Sequence, residues 1–338
     1  MSLASPGSNK RAINKPVARR VDQVVLDLLA LRKAVSPDYT ASSGFADHST
    51  PGTVRKELPA TLLDGRALGA QIKAELKERA QEYRAVHGYL ARLALVIAGA
   101  HPAARLYSNQ VARSCAEIGL ECVTSTFPFR IEEEELRRAV GRLSADPLSR
   151  GVVVLLPLPA HIQQRVVTEV IAPEKDVDGL GPRNAGNMML GFPSFIPSTA
   201  SAVRELVRAS GMTLTGQHAV IVGRSNVGGK PIALLLMREG ATITICHSHT
   251  PSLAEITRTA DILVVSTGRP RLITAEMVKP GAVVFDAGIN KLNGQIAGDV
   301  DFAGVSQVAS YLTPVPGGLG PLTNLMLIRH TLVGPETE

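Results

Sequence analysis

His218 to Pro231 reads HAVIVGRSNVGGKP, and this stretch decides the fold. HAVIV is a short run of apolar, β-favouring residues, the size of a buried strand. It runs into a turn where Gly223, Ser225 and Gly228 occupy the three places that a dinucleotide fingerprint gives to glycine, with Ser in the middle one. Glycine lets the chain turn sharply and lets backbone N–H groups approach a pyrophosphate. The helix that follows, about 228–239, offers its N-terminus to the anion. Gly223, Arg224, Ser225 and Gly228 are therefore the expected cofactor contacts. A plain tight turn between strand and helix is the competing reading.

The next strand shows which nucleotide is favoured. An NAD enzyme usually places Asp or Glu at its end, on the ribose diol. Here ATITIC (241–246) runs into His247-Ser248-His249-Thr250, with no acid. Arg224 and Ser248 offer a guanidinium and a hydroxyl instead, which suit a 2′-phosphate. NADP is the expected cofactor. His247 and His249 read as a polar loop, and no metal is expected.

Working outward, DILVVST (261–267) and GAVVFDAG (281–288) are further apolar strands of the same unit. On the N-terminal side, helices at about 65–86, 103–119 and 132–145 alternate with strands at 92–99, 120–127 and 151–157. A helix at about 197–211 leads out. This βα alternation with apolar strands predicts an α/β protein with parallel sheets and helices on both faces. Two α/β domains are expected, over 59–197 and 198–312, the second of Rossmann type. The helix at about 319–334, in a segment 313–338, is expected to return to the first.

Residues 1–58 stand apart. Residues 1–20 hold five Lys/Arg and no acid, and residues 20–34 space Val21, Val24, Val25, Leu28, Leu29 and Leu31 as an amphipathic helix. A Ser/Pro/Gly-rich linker follows. The first 60 residues carry nine Lys/Arg against five Asp/Glu, +4 of the chain's net +6. The remaining body is close to neutral, so the basic balance does not imply a nucleic-acid partner. Aromatics are 4% with no Trp, too few for a base-stacking platform. No apolar run reaches the ~18 residues of a membrane span. Three cysteines, an odd number, exclude a complete disulfide framework and favour a reducing compartment. The cytoplasm is the expected location, with an acid-free organelle-targeting arm as the alternative.

The segments LLPLP (155–159), PEKDVDGLGPRNAG (173–186), GRSNVGGKP (223–231), CHSHT (246–250), GAVVFDAGIN (281–290), GDVDF (298–302) and TPVPGGLGPLT (313–323) together resemble the bifunctional methylenetetrahydrofolate dehydrogenase/cyclohydrolase family, in family order and spacing. The resemblance covers about 60–335. It implies a homodimer whose cleft holds a tetrahydrofolate one-carbon derivative against NADP. It implies oxidation of 5,10-methylenetetrahydrofolate to the methenyl form, which many members then hydrolyse to 10-formyltetrahydrofolate. Carried over by motif, Tyr107 stacks on the folate and Asp178 holds its aminopyrimidine edge. Val154, Leu155, Leu156 and the loop Pro316, Gly317, Gly318, Leu319 and Gly320 line the substrate site. Gly268, Ser248 and Ile289 join the turn residues around the cofactor. Asp176 is the neighbouring carboxylate, with turn or helix capping as its ordinary role.

Two positions depart from the pattern. The family's Tyr-x-x-x-Lys reads YSNQV (107–111), so Val111 stands in the place of the catalytic Lys. The family's Val-Gln-Leu-Pro reads Val154-Leu155-Leu156-Pro157, so Leu155 replaces the Gln that partners it. Arg113 is roughly 200° further round a helix and does not substitute directly. PSTA (197–200) stands for Pro-Cys-Thr-Pro, from which nothing is drawn. Hydrolysis needs a proton-moving group, whereas hydride transfer is mostly positioning. The expectation is a dehydrogenase with weak or lost cyclohydrolase activity. A divergent folate-dependent one-carbon transferase and a non-catalytic folate or NADP binder remain as alternatives.

Overall fold

Apolar strands between amphipathic helices fold into two parallel sheets, as the alternation predicts. The computed structural model describes residues 60–335 except Ala100 and Asn293. The arm 1–58, its helix at 20–34 and its linker lie outside the described residues.

The chain enters through β1 (Thr61–Leu62) and α1 (Gly65–His87). The Asp64 carboxylate caps α1 by accepting from the Arg66 N–H at 2.8 Å, which satisfies one of the free donors of its first turn. Gly88, at φ 80°, ends it in the left-handed conformation. Then follow β2 (Arg92–Ala98), α2 (Pro102–Ile118), β3 (Glu121–Phe127), α3 (Glu133–Ala145) and β4 (Ser149–Val154). These strands form a three-stranded parallel sheet in the order β3-β2-β4. β2 is central and buried at all but its first residue, which is why RLALVIA is almost unbroken in apolarity. Short helices α4 (Gln164–Thr168) and α5 (Pro182–Leu190) lead to α6 (Ser198–Ser210).

The second sheet gathers β5 (His218–Val222), β6 (Thr242–Cys246), β7 (Ile262–Val265), β8 (Val283–Asp286) and β11 (Tyr311–Leu312). Between them come α7 (Gly229–Arg238), α8 (Leu253–Thr257), the antiparallel hairpin β9 (Asn290–Leu292) and β10 (Gln295–Ala297), and α9 (Phe302–Val305). The final helix is α10 (Leu319–Val333). The strand order is β1-β11-β8-β7-β5-β6, all parallel. This corrects one expectation. Residues 61–62, read with the first domain, form the outer edge of the second sheet. A two-residue strand has no sequence period of its own, and pairing with β11 alone decides its place.

α10 packs against α1, α6 and α2. One apolar cluster runs continuously through the facing sides of both sheets. Leu93, Leu95 and Ile97 of β2, Ile221 of β5 and Phe285 of β8 belong to it with Leu322, Leu325 and Met326 of α10. Among the described residues, no helix is long and apolar enough to cross a membrane.

Candidate active site

In each sheet the chain reverses its strand order at one strand. β2 has β3 on one side and β4 on the other, and β5 likewise separates β6 from β7. Open parallel sheets bind ligands at the carboxyl ends beside such a reversal. A cavity of about 560 Å³ lies at the carboxyl ends of β4 and β8. Its walls include Val154, Leu155 and Leu156 after β4, Tyr107 of α2, Asp286 to Ile289 after β8, and the loop Pro314 to Gly320 leading into α10.

The motif residues divide into three groups. Tyr107, Val154, Leu155, Leu156, Asp178, Ile289, Pro316, Gly317, Gly318, Leu319 and Gly320 all line this cavity. Gly223, Arg224, Ser225, Gly228, Ser248 and Gly268 sit outside its walls, at the carboxyl ends of β5, β6 and β7. Val111 does neither. It faces the core with no exposed surface and is absent from the cavity wall. Arg113 is exposed, away from the site.

Around Tyr107 the polar groups are few and closely joined. Ser198 and Thr323 line the cavity beside it. Burial and the charge of Asp178 push the tyrosine's pKa up, so the phenol holds its proton. Asp178 accepts from the Ser198 N–H at 3.0 Å, and burial raises its pKa despite that bond. Ser198, the serine of the PSTA segment, thus holds Asp178 on the wall that it shares with Tyr107. Asp176 faces away from the cavity. It accepts from the N–H groups of Leu180 and Gly181 and from Asn184 Nδ2, at 3.2, 2.8 and 2.9 Å. These bonds hold the turn that leads into α5, and burial brings its pKa to about 6.

The nucleotide turn is shaped by close backbone approach. Gly223 has φ 130°, and a Cβ there would stand 2.2 Å from the Ser266 carbonyl oxygen. A Cβ on Gly229 would stand 2.0 Å from the Gly223 oxygen. Ser225 fills the middle glycine's place because its hydroxyl is used: Oγ accepts from the Gly228 N–H at 3.1 Å. The turn and the β6 loop converge. Gly223 N–H donates to the Cys246 oxygen at 2.9 Å, and the Arg224 charge helps burial hold the His247 pKa below its usual value. The His247–Thr250 loop is self-bonded, with His247 N–H donating to Thr250 Oγ1 at 2.9 Å. Among the described residues no cluster of three metal-ligating side chains occurs.

Two carboxylates that sequence reasoning left without a role lock the remaining wall. Asp286 accepts from the N–H groups of Gly288, Asp299 and Val300, at 2.9, 3.0 and 2.9 Å. Burial lifts its pKa to about 6. Asp299 accepts from Thr267 Oγ1 at 2.9 Å, the Gly268 N–H at 2.9 Å and Asn290 Nδ2 at 2.8 Å. Together they fix the loops that carry Gly268 and Ile289. Both belong to quoted motifs, GAVVFDAGIN and GDVDF, but only the fold shows that the two meet.

Residues 63–178 match the family profile described as the tetrahydrofolate dehydrogenase/cyclohydrolase catalytic domain. Residues 197–337 match its NAD(P)-binding domain. The bifunctional protein FolD of Geobacillus thermodenitrificans is 49% identical over 276 residues, covering 81% of this chain and 97% of that protein. The chain belongs to the tetrahydrofolate dehydrogenase/cyclohydrolase family. It is an enzyme of two α/β lobes with a nicotinamide-dinucleotide-binding second lobe. The crystal structure of the bifunctional FolD enzyme from Campylobacter jejuni superposes with a TM-score of 0.78, at 42% identity over 81% of this chain and 98% of that one. The Trypanosoma brucei dehydrogenase-cyclohydrolase, complexed with NADP cofactor and inhibitor, gives 0.78 at 37% identity over 82% and 97%.

Proposed function

We propose that this member of the tetrahydrofolate dehydrogenase/cyclohydrolase family oxidises 5,10-methylenetetrahydrofolate to the 5,10-methenyl form with NADP, and that its cyclohydrolase step is weak or lost. One observation carries the second half. Val111 and Leu155 are 0% and 5% exposed and belong to one apolar cluster, so neither family position holds a group that can move a proton.

The residues present fit the nucleotide. The turn at Gly223 and Gly229 leaves no room for a Cβ, and α7 begins directly behind it. Arg224 and Ser248 are exposed at the ends of adjacent strands, where they would take the 2′-phosphate. NADP, when bound, supplies the hydride acceptor. Ile289, 69% exposed on the cavity wall, would meet it there, with Gly268 held by Asp299 beside it.

The chain's own residues supply position and dryness. Asp178 presents acceptor oxygens suited to two parallel N–H groups of an aminopyrimidine. Tyr107, on the cavity wall, gives a ring against which the folate stacks. Leu155, Leu156 and Val315 keep the wall apolar, which limits water at the one-carbon bridge. Hydrolysis would need an activated water. Among the described residues, Arg66 is the sole Lys or Arg on the cavity wall, and a guanidinium does not give up its proton. Asp286 is engaged by three backbone donors, and Asp178 and Tyr107 are given to holding the folate. General acid–base catalysis by a Lys at position 111, typically worth 10²–10⁴-fold, is therefore missing. The same reading includes assembly as a homodimer, supported by the half-exposed residues of the open edge strand β3.

The test is direct. Purified protein is mixed with 5,10-methylenetetrahydrofolate and NADP, then NAD, while reduced cofactor and methenyl product are followed separately. NADPH together with persistent methenyl product is the expected result. Binding of both ligands without turnover would overturn the reading in favour of a binder or another one-carbon transfer.

A further inference from the structure

Asn324 is 8% exposed on α10 and still forms part of the cavity wall. Its side-chain oxygen is buried, and no group among the described residues donates to it. Buried polar atoms are nearly always hydrogen-bonded, and one left without a partner is destabilising by an amount comparable to a lost bond. The surroundings sharpen the anomaly. Leu322, Leu325, Met326, Leu327 and Ile328 around it are all buried apolar side chains. A leucine at 324 would suit the core better.

Its placement points to a ligand. Gly320, Thr323 and Asn324 share one face of α10 at i, i+3, i+4 spacing, and all three line the cavity. α10 packs against α2 and β4, the elements that carry Tyr107 and lead into Leu155. The carboxamide therefore stands on a wall shared with Tyr107 and Leu155, where Leu155 offers nothing polar. A half-turn about its terminal torsion exchanges Oδ1 and Nδ2, so it can meet either an N–H or a carbonyl.

We propose that Asn324 is a specificity-determining residue for the reduced-folate ring, whose carboxamide hydrogen-bonds the polar ring edge that the apolar Leu155 leaves unmatched. The inference rests on the folate reading above and deepens it. An amide binds a ring edge but exchanges no proton at neutral pH, so Asn324 restores recognition without restoring hydrolysis.

The experiment compares wild type with Asn324→Leu, and with Asn324→Val as a second packing solution. Tetrahydrofolate and NADP affinities are measured separately by anaerobic calorimetry, and the melting temperature is recorded for each protein. The expected result is about a tenfold loss of tetrahydrofolate affinity, with NADP affinity within about twofold. The melting temperature should be unchanged or higher, because an orphaned polar atom is removed. Unchanged tetrahydrofolate affinity overturns the proposal. So does a parallel loss of both ligands with a lower melting temperature, or failure of both variants to fold, either of which assigns Asn324 a scaffolding role. If wild type binds no tetrahydrofolate, the folate reading itself fails, and this inference falls with it. Wild-type binding with variant binding intact sinks the Asn324 assignment alone.

Discussion

One turn of α2 separates Tyr107, which faces the cavity, from Val111, which has no exposed surface at all. The tyrosine shares the cavity wall with Ser198 and Thr323, while the residue behind it has joined the core that includes Leu155. The cavity's aromatic wall is thus intact although its proton-transfer position is apolar.

Restoring the pair tests that view. Val111→Lys alone buries a charge without a partner and should lower stability by several kcal/mol. Val111→Lys with Leu155→Gln should recover part of that loss and raise methenyl hydrolysis, up to 10²–10⁴-fold. Decay of methenyltetrahydrofolate is the readout. A double variant that folds and binds folate but hydrolyses nothing would falsify the account of the missing pair.

Arg224 makes a separate prediction on the nucleotide. Arg224→Ala should weaken NADP by roughly 10- to 100-fold, the worth of a charge-assisted bond, and NAD far less. Titration of the two nucleotides checks it. Equal weakening would remove Arg224 from the 2′-phosphate.

Gly229→Ala probes the turn's geometry. The added carbon would meet the Gly223 oxygen at 2.0 Å and the Arg224 nitrogen at 3.1 Å, both backbone atoms that cannot swing aside. NADP affinity should fall roughly 5- to 150-fold, since overpacking of this kind costs about 1–3 kcal/mol. Tetrahydrofolate binding, measured alongside, should survive. A variant that binds NADP normally would show that the turn relaxes freely.

His330 supplies a pH prediction. It is buried and donates from Nδ1 to the Val177 oxygen at 2.7 Å. Burial lowers its pKa from 6.5 to about 4. Between those values the unfolded chain holds the extra proton, so this group's contribution to stability rises as pH climbs from 4 to 6.5 and is lost on acidification. Asp176 and Asp286, whose pKa values are raised, act in the opposite sense over a similar range. The clean measurement is therefore a difference. Urea unfolding at pH 4.5 and 7 should show a pH effect smaller by about 2 kcal/mol in His330→Asn than in wild type. An identical pH effect in both would clear His330.

Much of this architecture is legible in the sequence, because apolar strands and amphipathic helices carry their own periods. Residues 92–98 and 218–222 could be little else. The glycine turn is readable for the same local reason. What escaped is whatever depends on residues far apart. The two-residue strands β1 and β11 hold no period. Asp286 and Asp299 acquire their role only when the loops after β7 and β8 meet. Ser198 matters through its contact with Asp178, twenty residues earlier. Val111 was placed by motif in the site, yet burial on its helix sets it behind the cavity wall. Asn324 carries no motif and is visible only as a polar atom in the wrong surroundings.

The short strand β1 has a consequence for any attempt to cut this enzyme in two. It contributes to the second sheet, while α1, two residues later, is packed in the first lobe against α10. A piece beginning near Pro197 would retain β11 but strip it of that outer neighbour. The exposed rim would present unpaired backbone donors and acceptors, the kind of border along which separate molecules join edge to edge. A few residues ahead of α1 therefore guard the nucleotide-binding half against self-association.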